Sequence, residues 1–163
     1  MWQIAVCGPG ECTPQEAGAA RAVGRLLAEH GAVVLCGGYG GVMAAAAAGA
    51  REGGGVAVGV LSGRDRSGAS PDLTVALPTG LGEARNALIV RAADAVVVVG
   101  GSWGTLSELA LAQRGGTPVI TLGGWQVLDA EGRPVPGPVP AAGPAEAVRL
   151  ALAAAGRAGP FSP

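Results

Sequence analysis

No lysine occurs in the 163 residues; the eleven basic side chains are all arginine. A pyridoxal phosphate enzyme needs a lysine for its Schiff base and a P-loop enzyme needs the lysine of its GK[ST] motif, so both classes are excluded. Aromatic rings are nearly as scarce, at 3% of the chain, so the core must be built from aliphatic residues and each ring is worth locating. The one histidine, His30, precedes Gly31 at an expected helix end, where a dipole contact is a better reading than a Ser-His or Cys-His catalytic pair. The three cysteines, Cys7, Cys12 and Cys36, are odd in number and give no disulfide framework. Cys7 and Cys12 lack further ligands for a metal, and buried free thiols are the simpler reading.

Charge is also in short supply. Only 14% of residues are charged and the net charge is −1, which gives no electrostatic footprint for nucleic acid or an acidic membrane. The apolar runs are broken by glycine and are too short to span a bilayer. The start, "MWQIAVCG", has no basic residue and no small-residue cleavage site, and it reads as a strand. A cytoplasmic protein is expected. Hydrophobic residues reach 49%, enough for a packed core, and one domain is expected over 1–156 with a frayed tail over 157–163.

What is present is an alternation of strand and helix. "WQIAVCG", "AVVLCGG", "VAVGVLS", "LTVALPTG", "AVVVVGG" and "TPVITLGG" read as six strands. Between them, Thr13 opens a helix with Pro14 at its first position and Glu16 completing a T-x-x-E capping box. "GVMAAAAAGARE", "LGEARNALIVRAA", "GTLSELALAQRGG" and "GPAEAVRLALAAAG" supply the other helices, and Glu131-Gly132 marks a turn in a proline-rich excursion. Apolar strands without alternation are buried on both faces. The fold class expected is therefore α/β: a doubly wound, mostly parallel, Rossmann-like sheet with helices on both faces and strand order 3-2-1-4-5-6.

In such a sheet, ligands bind beyond the carboxyl ends of the strands. Glycines gather there: Gly8 and Gly10, Gly37 to Gly41, Gly80 and Gly82, Gly100 to Gly104. Turns between strands and helices need glycine anyway, but four such loops converge on one edge. Tyr39, Trp103 and Trp125 also fall just past strand ends, where they either stack on a flat base or pterin or simply pack their loops. Thr105 and Glu108 repeat the T-x-x-E pattern, which on its own predicts another capping box.

The segment "RNALIVRAADAVVVVGGSWGTLSE", Arg85 to Glu108, resembles the Lonely Guy family of phosphoribohydrolases, often mislabelled lysine decarboxylases. That family carries an Arg-Lys pair, a second arginine, Ala-Asp-Ala, a buried strand and P-G-G-x-G-T-x-x-E. Arg85, Arg91, Ala93, Asp94, Ala95, Gly101, Gly104, Thr105 and Glu108 fall in register, with Arg85 and Glu108 23 residues apart. "GGYGGVMAAAAAGA" is similar to the family's upstream glycine-rich loop. Gly100, Ser102 and Asn86 stand where the family has proline, glycine and lysine. With "PTGLGEARN", these bring the segment closer to a sister branch of small bacterial proteins and molybdenum-cofactor carriers.

The resemblance implies a site at the sheet edge for a phosphorylated, nucleotide-like ligand. Glu108 and Arg85 would be its catalytic pair if a nucleoside monophosphate is hydrolysed to base and ribose 5-phosphate. Glu108 would stabilise the cationic sugar and orient water; Arg85, permanently charged, would stabilise negative charge. The ligand would be held by Gly8, Gly38, Gly40, Gly41, Thr79, Gly80, Asn86, Gly101, Ser102, Trp103, Gly104 and Thr105, its phosphate on the amides of residues 102–105. The alternative is a non-catalytic carrier or sensor of the molybdenum cofactor or a nucleotide. No metal or cofactor is required for the chemistry. A homodimer or higher homo-oligomer is implied, with neither nucleic acid nor membrane as a partner. Arg91 is expected to pair with Asp94.

Overall fold

In the computed structural model, which describes residues 1–158, the chain builds one seven-stranded sheet, all of its pairings parallel. The strands are β1 (Gln3–Cys7), β2 (Val33–Cys36), β3 (Ala57–Leu61), β4 (Val75–Pro78), β5 (Ala95–Val99), β6 (Val119–Leu122) and the short β7 (Val139–Pro140). The helices are α1 (Pro14–Glu29), α2 (Gly41–Glu52), α3 (Asn86–Ala92), α4 (Trp103–Gly115) and α5 (Pro144–Ala158), and a 3₁₀ turn over Gly82–Arg85 leads into α3. The tail expected over 157–163 lies outside the described residues, except that the α5 backbone runs to Ala158.

The strand order is β4-β3-β2-β1-β5-β6-β7. The doubly wound arrangement is as expected, but the fourth strand does not follow β1. It pairs with β3 at the edge, Val58 to Val75 and Val60 to Leu77, and β5 takes the place beside β1. The reason is local: no helix lies between β3 and β4, so the segment loops back beside the strand it has just left.

Alternate residues of the buried strands supply two cores. On one face Ile4, Val6, Val34, Val97 and Ile120 pack under α1, α2 and α5; on the other Ala5, Leu35, Val60, Val96 and Val98 pack under α3 and α4. The alanine run of α2 lets that helix lie unusually close to α1. A Cβ on Gly24 would run into the carbonyl of Ala46, and one on Gly49 into that of Arg21. The α1 capping box forms as expected, Thr13 N donating to Glu16 Oε2 at 2.8 Å. His30 closes α1, its Nδ1 2.8 Å from the Leu26 carbonyl. The Glu131-Gly132 turn closes a small hairpin with an antiparallel bridge from Leu128 to Pro134. No helix among the described residues is long and apolar enough to cross a membrane.

Candidate functional site

The order of the strands reverses direction between β1 and β5, and the loops around that point carry the charged pair. Arg85 enters at the end of the 3₁₀ turn and is 9% exposed. Its Nη1 donates to the Val60 carbonyl at 2.8 Å, and its guanidinium carbon lies 6.0 Å from the centre of the Tyr39 ring. Gly37 makes room for it, since a Cβ there would collide with both terminal nitrogens. Its Nε is buried with no hydrogen-bond partner among the described residues. A buried guanidinium left incompletely paired is costly unless something else completes it.

Glu108 is 8% exposed. The predicted capping box with Thr105 does not form. α4 begins earlier, at Trp103, and Ser102 is its cap, accepting from Thr105 N at 3.2 Å. That shift leaves Glu108 in the second turn, free to face the sheet. Burial pushes its carboxyl up to about 7, against the opposing pull of the Arg85 charge and of the neighbouring Cys7 thiol. Cys7, the last residue of β1, is pushed well above the usual thiol range by burial and by the Glu108 charge. Cys36, at the end of β2, is raised to about 11, also chiefly by burial. Arg85 and Glu108 therefore meet in one buried cluster with two thiols. They do not form a direct ion pair; the ion pairs among the described residues are between other side chains. Cys7 reads as an inert core thiol in the sequence, and its place in this cluster follows from its position at a strand's carboxyl end.

The other expected residues divide by what occupies them. Gly8 and Gly41 are packing positions: a Cβ on Gly8 would strike Val99 and Val42, and one on Gly41 the carbonyls of Pro9 and Gly10. Gly38 is pressed against Leu61 and Gly59, and Gly40 lies near the Gly10 carbonyl. The Thr79 hydroxyl donates to the Leu61 carbonyl at 2.7 Å, and Gly80 N donates to Gly63 at 2.8 Å, so both shape the loop after β4. Asn86 is buried at the start of α3 beside Arg85.

At the α4 turn, the Ser102 and Thr105 hydroxyl oxygens are 2.8 Å apart. With the Thr105 amide taken by Ser102, the first-turn amides left for a ligand are those of Trp103 and Gly104. Trp103 is 78% exposed, and Trp125 leans on Gly101. Tyr39 is not a free stacking surface: its hydroxyl accepts from Gly63 N at 3.0 Å, and its ring faces Arg85. Arg91 does not pair with Asp94, whose Oδ2 instead accepts from Gln3 N at 2.8 Å and ties α3 to β1. On the opposite face, a cleft of about 640 Å³ opens between α1 and α5 over Gly100 and Gly124. Its wall includes Glu16, a poor neighbour for an anion.

A doubly wound α/β protein with a buried arginine–glutamate cluster at the carboxyl edge of its sheet is the class these features define. Residues 1–136 match the SLOG cluster4 family, and the chain belongs to that family. An uncharacterised protein of Archaeoglobus fulgidus is 42% identical over 122 residues, 75% of this chain and 80% of its own. Among solved structures, the molybdenum cofactor binding protein of the phototrophic bacterium Rippkaea orientalis is 35% identical with a TM-score of 0.83, over 93% of this chain and 95% of that one. The molybdenum cofactor carrier protein of Chlamydomonas reinhardtii is 33% identical with a TM-score of 0.82, over 94% and 98%. DNA processing protein A of Helicobacter pylori, 22% identical with a TM-score of 0.62 over 75% of this chain and 65% of that one, shares the fold.

Proposed function

We propose that this chain is a carrier that binds a small phosphorylated, flat-ringed cargo of the molybdenum-cofactor kind at the carboxyl edge of its sheet, and holds it without cleaving it. The observation that carries this reading is Arg85: a buried guanidinium whose Nε has no partner among the described residues. Such a group is completed by an anionic oxygen from outside. The free amides of Trp103 and Gly104 supply neutral donors at a helix N-terminus for the phosphate. The likeness to two molybdenum-cofactor proteins over more than nine-tenths of both chains supports the choice of cargo.

The Arg85 and Glu108 positions also match the pair that a phosphoribohydrolase would use, so one experiment addresses both readings. The pure protein is incubated with molybdenum cofactor and passed over a sizing column, and the protein peak is assayed for pterin; in parallel it is incubated with AMP and assayed for free adenine. Pterin in the protein peak with no adenine release supports the carrier. Adenine release that Glu108→Gln abolishes supports hydrolysis instead, and no retained pterin rejects the carrier.

The apolar surface around α3 supports a homo-oligomer. Leu81, Ala84, Leu88 and Ala92 are exposed at helical spacing, beside Val75 and Leu77 on the bare face of β4. Glu83 and Arg91 flank this stripe, exposed and without an ion-pair partner among the described residues. In a two-fold pairing of α3 with its copy, each Arg91 faces a Glu83.

A further inference from the structure

We infer that Trp103 and Trp125 form a two-walled aromatic stall for the flat ring of the ligand, on the β6 side of the α4 first turn. This rests on the reading above only in taking the ligand's anionic group to lie on that turn. The indoles themselves carry the inference.

Trp103 is the first residue of α4 and Trp125 follows β6. Their ring centroids are 5.0 Å apart and their planes 81° apart, an edge-to-face contact that leaves Trp103 78% exposed. The turn is shaped around this pair. A Cβ on Gly101 would lie 2.5 Å from Trp125 Cδ1, so the absence of a side chain there lets the indole rest on the backbone. Trp125 is thereby held, and it holds one side of Trp103.

At 78%, Trp103 is the most exposed large apolar side chain of the described residues apart from Met1 at 91%. This chain has only three tryptophans, and it leaves one standing in water at the sheet edge where ligands bind. An indole there recovers its lost burial when a second flat ring covers it, and stacking of this kind accepts any π face.

The adjoining donors fix what kind of flat ring. The Trp103 and Gly104 amides are in the same turn as the indole, so one molecule with a phosphate and a planar heterocycle engages both. Trp103 then sets specificity for the ring while the amides hold the charge. An aliphatic sugar phosphate meets the donors and misses the stall.

Three probes separate these contributions: a phosphorylated pterin, the same pterin without phosphate, and ribose 5-phosphate, each titrated by calorimetry with tryptophan emission followed alongside. The wild type should bind the phosphorylated pterin with quenched emission. Trp103→Leu should weaken both pterins about tenfold, as expected for loss of one stacking partner, and leave ribose 5-phosphate unchanged. Trp125→Leu, which removes the wall without removing the platform, should give a smaller loss of the same sign. Circular dichroism of each variant confirms that it is folded. If Trp103→Leu binds both pterins as the wild type does, the stall is wrong while the carrier reading stands. If the wild type binds none of the three probes, the carrier reading falls, and the stall with it.

Discussion

Glu108 keeps its proton up to a pH at which an ordinary carboxyl has lost it, because burial raises it from the usual 4.5 to about 7. The consequence for stability has a definite sign. Between pH 4.5 and 7 the folded state binds more protons than the unfolded chain, so stability falls as pH rises through that window. At 1.36 kcal/mol for each pH unit the loss is on the order of 3 kcal/mol. Glu108→Gln, which cannot ionise, should flatten this part of the profile and leave the protein more stable than wild type at pH 8; urea denaturation at pH 5, 6, 7 and 8 measures it. A profile identical to wild type would mean that the buried carboxyl is not the titrating group.

Single residues were legible in the sequence to different degrees. Arg85 and Glu108 stood out through the spacing they share with a known family. By itself the T-x-x-E pattern pointed Glu108 the wrong way, into a helix cap. The pattern cannot say where the helix starts, and Ser102 takes the cap because its hydroxyl is placed to reach the Thr105 amide. Gly37 was marked only as one of a glycine run past a strand end, and Cys7 left no chemical signal; it belongs to the cluster because of where its strand ends.

The close seat of α1 on α2 is the most specific contact between elements. Gly24 and Gly49 bring each helix against the other's carbonyls, and neither could carry a side chain without moving backbone. Gly49→Leu should therefore destabilise the fold by about 3 kcal/mol or more, read as a lower urea midpoint, whereas Gly18→Ala, facing open space on α1, should be neutral or mildly stabilising. Equal effects at the two positions would contradict the packing. The alanine run in α2 was a visible sign of close packing, and most helices and strands could be read from apolar periodicity and caps. The place of β4 could not, since periodicity marks a strand without naming its neighbour. The helix-free connection after β3 was the available clue, because a crossover without a helix returns the chain to the nearest open edge.

At the scale of the molecule, the sheet is clothed unevenly. α3 and α4 cover its centre on one face and leave Val75 and Leu77 bare at the β4 edge, next to the exposed stripe of α3. If a second copy covers this surface, Leu88→Glu should give a monomer by light scattering at concentrations where the wild type is a dimer or larger. The residue is 45% exposed, so the variant should keep its fold. Glu83→Arg alone should weaken association, and Glu83→Arg with Arg91→Glu should restore it. A monomeric wild type would reject the pairing.

The claim on which the functional reading depends is that Arg85 awaits an anion from outside the protein. Calorimetry with a phosphorylated pterin tests it directly, comparing wild type with Arg85→Met and with Arg85→Lys, which keeps the charge but loses the planar fork. The expected result is binding by the wild type, a loss of about a hundredfold in Arg85→Met and an intermediate loss in Arg85→Lys, consistent with removal of a charge-assisted hydrogen bond from a buried site. Equal binding by the wild type and a folded Arg85→Met would contradict it.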